Sequence, residues 1–273
     1  MFALEFMKIA FVASGVVSII VGLIGYFLLI RREAFAGHAL SHIGFAGATG
    51  ASLIGLPPFL GLIIFNVMAG IWMGQIGAKL KDRDIAIGLI LSASLGLGLL
   101  FLHFYTHYAT QISSLLFGNV FGVTYSTLYW LIFLTCCCCL AMGFLMRPLL
   151  FVSLQPDLAQ AQGISVRLVS TIFLMIVALV TAACVQITGI LLVFSLMVGP
   201  AAVALRISKT IWAGIGLSIL LALSESWGGL WLSWLTDWPV SFWISLLSIG
   251  IYGLTLVFGK HLRSLRIQDC YHT

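Results

Sequence analysis

RREAFAGHALSHIGFAGATG, residues 31–50, decides how the chain is read. Two arginines and a glutamate end one apolar run, and a second run rich in small residues starts at once. His38 and His42 stand four residues apart within it. In a helix that spacing puts both imidazoles on one face, about one turn apart. Two side chains so placed can grip one metal ion. Gly44, Gly47 and Gly50 recur every three residues, which lets neighbouring helices approach closely. Such a segment belongs in the centre of a bundle rather than against lipid.

Composition fixes the surroundings. Of 273 residues 62% are hydrophobic and only 8% charged, and the mean hydropathy is +1.17. Soluble domains carry about 25% charged residues, so this chain cannot cover a water-facing surface. Long apolar runs with short polar punctuation predict an all-α integral membrane protein, a polytopic bundle; a β-barrel would need short alternating segments. The first run carries Glu5 and a single lysine, Lys8, and is too long for a cleaved signal, so it reads as a retained span.

Nine spans are expected. They cover about Phe6–Ile30, Phe35–Leu56, Phe59–Ala78, Ile85–Thr106, Thr124–Met146 (closed by Arg147-Pro148), Leu168–Ile187, Gly189–Arg206, Ile211–Leu235 and Val240–Gly259, with a basic tail KHLRSLR after the last. Eight remain an option because residues 107–123 are ambiguous. With the loop after the first span in the cytoplasm, Arg31, Arg32, Lys79, Lys81, Arg83, Arg147, Arg167, Arg206, Lys209, Lys260, Arg263 and Arg266 all fall inside and Lys8 alone outside. That agreement with the positive-inside rule places the N-terminus outside and the C-terminus in the cytoplasm. The net charge of +5 then needs no nucleic-acid partner.

Ser153 to Arg167 is too polar to cross a membrane but carries helix signals: Gln155-Pro156-Asp157 at its start and Gly163 at its stop. It lacks the lysines and bulky apolar face of a helix lying on lipid, so docking into a partner protein is the better reading.

The remaining ionisable residues each have two readings. Glu225, in the eighth span, would cost roughly 2.5–3.5 kcal/mol facing lipid at mid-depth. It therefore faces the interior, either hydrogen-bonded near Ser224 and Ser226 or as a pathway residue. His103 and His107, again four apart, are a candidate metal entrance or an interfacial aromatic cluster with Phe104, Tyr105 and Tyr108. Asp237 joins that candidate entrance or starts a turn before Pro239. His38 and His42 themselves are either ligands or packing residues, and His38 lies near the headgroup level marked by Arg31-Arg32. Cys136 to Cys139 point in four directions on a helix and cannot converge on one metal; with Cys184 and Cys270 they read as apolar side chains, not disulfides. Gly70 and Gly74 form a GxxxG contact, and Trp227, Trp231, Trp234 and Trp238 an outer interfacial belt.

No G-x-x-x-x-G-K-[ST] loop, nucleophile elbow or HExxH occurs, so the chain is not read as an enzyme. Transport through it would draw on a separate ATPase or on an ion gradient.

RREAFAGHALSHIGFAG, DIAIGLILS from Asp84, SLLFGN from Ser114, SLQPDLAQAQGISV, TGILLVFSLMVGPAAVALRIS from Thr188 and GLWLSWLTDWP ending at Pro239 follow one another along nearly the whole chain. In these pieces the sequence resembles the permease subunit of bacterial ABC importers for zinc, manganese or iron. The resemblance implies a type II importer-like permease of about 8–9 spans, forming one domain over 1–273 in the bacterial inner membrane. It also implies a homodimer surrounded by membrane lipid, a cytoplasmic ABC ATPase, and a periplasmic or lipid-anchored metal-binding protein. Gln155, Pro156, Asp157, Leu158, Ala159, Gln162 and Gly163 would form the coupling helix seated in the ATPase. No cofactor is expected beyond the transported divalent metal. The family pattern GDALSHA has an aspartate where this chain has His38, while His42 matches. An imidazole in place of a carboxylate favours zinc over manganese, or else alters or abolishes selectivity. A self-sufficient secondary transporter or channel using Glu225 and the histidines is the alternative, and a non-transporting scaffold a distant third.

Overall fold

The computed structural model describes residues 5–76, 83–104 and 118–269. Among them are ten α-helices: α1 (Glu5–Ile30), α2 (Ala34–Leu53), α3 (Pro58–Ile76), α4 (Arg83–Phe104), α5 (Tyr125–Leu154), α6 (Pro156–Ala161), α7 (Val166–Thr188), α8 (Ile190–Ile207), α9 (Ile211–Thr236) and α10 (Val240–Asp269). A 3-10 turn at Val120–Gly122 precedes α5. Each of the nine expected spans overlaps one helix, and α6 is the expected loop helix. Seven helices are long and apolar enough to cross a membrane unaided, and α8 adds a further apolar helix. The exception among the long helices is α2, diluted by two histidines and by alanines and glycines.

Two boundaries differ from expectation. Arg147-Pro148 does not end the fifth span: α5 runs on to Leu154 with Pro148 inside it. A proline removes one helical hydrogen bond, but Leu149 and Val152 beyond it are buried in the bundle and hold the last turns in place. Likewise α10 continues past Gly259 to Asp269, so the basic tail is helical, in keeping with its lysine, leucines and arginines.

The core is built from α1, α2, α7 and α8, while α4 and α10 keep most of their surface outward. Here α2 packs on α3, α4, α7 and α8; α3 packs on α7; α1 packs on α8 and α9; and α9 packs on α8 and α10. Close approach at the α2–α3 crossing depends on glycine, since a Cβ on Gly47 or on Gly61 would strike the other's carbonyl. Gly70 and Gly74 serve the same purpose where α3 meets Leu174 and Thr171 of α7. The α1–α2, α5–α7 and α8–α9 connections share one end of the bundle: Arg31 reaches Ser153 and Ser170, and Gly214 lies against Tyr26. That end carries Arg31, Arg32, Arg167, Arg206 and Lys209.

Candidate functional site: the paired histidines of α2

Helix α2 starts only three residues after α1 ends. Arg32 takes a left-handed conformation (φ 57°), the Arg32 N–H donates to the Leu29 carbonyl at 3.0 Å and the Glu33 N–H to Leu28 at 2.9 Å. This is a Schellman ending with arginine where glycine is usual. Glu33 then caps α2 through its carbonyl, accepting from Ala36 and Gly37.

His38 and His42 follow on one face of α2 with ring centroids 4.7 Å apart and planes at 75°. The His38 ring also lies 4.8 Å from Phe194 of α8 and 6.4 Å from Phe35. Both histidines are half-buried. Nδ1 of His38 is buried and has no hydrogen-bond partner. Ser41 adds no ligand, its hydroxyl donating to the His38 carbonyl at 2.7 Å. Among the described residues no three His, Cys, Asp or Glu side chains gather anywhere, so those residues place two imidazoles and no carboxylate together here. A tetrahedral ion needs two more ligands.

Two polar side chains escaped the sequence reading. Asn66 of α3 is fully buried against Gly44 of α2, with neither amide atom hydrogen-bonded. Thr181 of α7 is fully buried as well, its hydroxyl unpartnered. The pairing of Gly74 with Thr171 and of Gly70 with Leu174 is antiparallel and, continued, brings Asn66 towards the level of Thr181. A lone asparagine within an apolar span was the available signal.

Glu225 of α9 is fully buried, as expected, with the Ser248 hydroxyl of α10 beside it but no donor in full hydrogen-bond geometry on either carboxylate oxygen. The Ser224 hydroxyl instead donates to Leu221, and the neighbouring Ser248 hydroxyl of α10 is directed at the Ser195 carbonyl, 3.4 Å away. Glu225 lies on a helix that packs on α1, α8 and α10, so it does not join the histidines. His103 is exposed near the end of α4, edge-on to Phe104, while His107 lies outside the described residues. Asp237 ends α9 in a left-handed conformation and lines a cavity of about 470 Å³ with Phe6, Asn119, Phe121, Trp234 and Trp238. His103 and Asp237 thus sit on separate elements, α4 packing on α2 and Asp237 standing at the α9–α10 corner. Cys136 and Cys137 are exposed and Cys138 and Cys184 buried, all free; Cys270 is outside the described residues.

The loop helix forms as the sequence implied. The Gln155 N–H donates to Phe151 to close α5, and the Gln155 carbonyl accepts from Ala159 to open α6 at Pro156. Gly163 ends the turn with φ 82°. Asp157, Leu158 and Gln162 are exposed and Ala159 is buried.

A many-spanned helical bundle with an exposed loop helix at its basic end and a histidine pair inside has the architecture of a membrane transport protein. The chain belongs to the ABC 3 transport family, which residues 3–259 match. It is 27% identical to a manganese transport system membrane protein of Halalkalibacterium halodurans, over 93% of this chain and 88% of the relative. It is 25% identical to the protein named “Probable iron transport system membrane protein” of Haemophilus influenzae, over 94% of each. The structure titled “PsaBC from Streptococcus pneumoniae in complex with Fab” shares the fold, with a TM-score of 0.85 at 24% identity and with 97% of this chain and 96% of that one covered.

Proposed function

We propose that this chain is the permease subunit of an ATP-driven importer of a divalent transition metal, residues 1–273 forming one transmembrane domain. The carrying observation is the facing pair His38 and His42 with the unpartnered Nδ1 of His38, on the helix at the centre of an ABC-transport bundle. Relatives named for manganese and iron support a metal cargo. Two neutral imidazoles are half of a four-ligand site, and a second copy of the chain supplies the other half across a two-fold axis. Because His38 stands where the family pattern has aspartate, the ligand set is imidazole-only, which favours zinc over manganese. Glu225 is outside this ligand set.

A metal-binding protein delivers the ion at the outer face, and α6 sits in a cytoplasmic ABC ATPase at the basic end. Closure of the ATPases moves α6 and switches the path from outward- to inward-facing. The charge distribution supports this orientation, with the N-terminus outside a bacterial plasma membrane. Family membership sets the self-sufficient secondary transporter aside.

Uptake of zinc, manganese and iron by cells relying on this permease tests the reading. His42→Ala should lower uptake at least tenfold, and His38→Asp should shift preference from zinc towards manganese. Equal uptake by wild type and both variants would remove the histidine site while leaving the permease assignment standing.

A further inference from the structure

The Arg31 guanidinium joins four elements at the basic end of the bundle. Nε and Nη2 donate to Oε1 of Glu33 at 3.1 and 2.9 Å, Nη2 to Oγ of Ser170 on α7 at 2.6 Å, and Nη1 to Oγ of Ser153 on α5 at 3.4 Å. Its plane lies over the Phe173 ring, 5.5 Å from the centroid. The side chains of Arg31 and Glu33 are only 7% and 1% exposed, so the pair is shielded from water and salt. A planar fork with five donors can hold several acceptors at once in one geometry, as an ammonium cannot.

The positions of the acceptors matter more than their number. Ser153 stands in the last turn of α5, immediately before α6, and Ser170 in the second turn of α7, soon after it. Together they are the two feet of the exposed loop helix. The third acceptor, Glu33, caps α2 five residues before His38. The tight α1–α2 ending leaves no slack between Arg31 and that cap.

We infer that Arg31 is the positioning residue that transmits displacement of α6 to the histidine helix, making metal passage depend on ATP hydrolysis. The inference rests on the permease reading above. A docked ATPase that moves α6 moves Ser153 and Ser170, and the guanidinium passes the movement to the start of α2 through Glu33. A merely structural ion pair would support folding without setting the ratio of metal moved to ATP consumed.

The test uses the complete complex of permease, ATPase and binding protein in proteoliposomes, reading zinc delivered per ATP hydrolysed. Arg31→Met with Glu33→Leu removes both buried charges together, which avoids stranding one. Ser153→Ala with Ser170→Ala keeps the ion pair and cuts only the feet. Arg31→Lys keeps the charge and loses the fork. The expected result is hydrolysis that continues while zinc per ATP falls at least tenfold in the first variant and severalfold in the other two. A ratio equal to wild type, with hydrolysis and uptake unchanged or falling in proportion, overturns the inference. If the Met/Leu variant fails to assemble, the serine and lysine variants decide on the same ratio. Absence of zinc transport by the wild-type complex would instead refute the permease reading for zinc itself.

Discussion

Replacing Glu225 by methionine should make the protein more stable and less active. Both carboxylate oxygens are buried with no donor in full hydrogen-bond geometry, the Ser248 hydroxyl beside them turning to the Ser195 carbonyl, and leaving a buried polar group unsatisfied costs about 1–3 kcal/mol. Methionine has nearly the same length, fills the same space without that cost, and repacks for under about 1.5 kcal/mol. A net gain of about 1–2 kcal/mol should raise the melting temperature by roughly 2–6 °C for a chain of this size. Thermal unfolding of the purified permease in detergent measures it, with Glu225→Gln as a control that keeps the polarity and should stay within about 1 °C. Uptake should fall in the methionine variant, because an ionisable group kept inside the bundle at such a cost signals a role in transport. A methionine variant that melts several degrees below wild type would refute the reasoning. It would mean that the carboxyl group has a donor, Ser248 being the neighbouring hydroxyl.

Gly70→Ala places a Cβ 2.7 Å from the Leu174 carbonyl oxygen, where ordinary contact begins at 3.4 Å, so α3 and α7 must separate by the difference, 0.7 Å. The cost should be about 1–3 kcal/mol, whereas Gly143→Ala on α5 meets nothing within 4 Å and should gain up to about 1 kcal/mol; matched melting curves compare them. Arg32→Gly relieves a left-handed arginine and should stabilise by about 1 kcal/mol in the same assay, with Arg32→Ala showing no gain. Ala159→Leu enlarges the buried contact beneath α6; co-purification of the ATPase should drop at least tenfold while the melting temperature holds within about 2 °C, a measurement made on the co-expressed complex.

The helices were legible because hydropathy and charge act residue by residue. Arg31-Arg32, Pro57-Pro58 and Arg206 punctuate apolar runs wherever the bundle folds. Even α2, too polar to stand out by hydropathy, was bracketed by its flanks, and the start and stop of α6 were written in Pro156 and Gly163. The ends of α5 and α10 were misplaced because tertiary burial of Leu149 and Val152 overrides a proline, and good helix formers carry a basic tail onward. The histidine pair could be read from its spacing, but its neighbour Phe194 lies on a helix far along the chain and carries no local sign. Arg31 shows this limit most sharply. In sequence it is a topology marker, and only the fold brings it to Ser153 and Ser170, 122 and 139 positions away.

These placements constrain how the site can change state. Helix α2 is pinned along its length by backbone-close contacts, Gly47 against Gly61 and Gly44 against Leu62 and Asn66, with Gly50 against Phe101 of α4. Packed interiors move between discrete arrangements rather than deforming smoothly. His38 and His42, on successive turns of one continuous helix, therefore keep the spacing of their Cα atoms, while their rings can still change rotamer. What can change is the position of the pair relative to Phe194 on α8 and to any ligands from a second chain. Under the proposed function, release of an ion would accompany a displacement of α2 together with the helices locked to it, α3 and through Gly70 and Gly74 also α7. Along that body, the end nearest the histidines is the one fastened to Glu33 and Arg31. A lever attached there would move the pair most directly, as the inferred role of Arg31 requires.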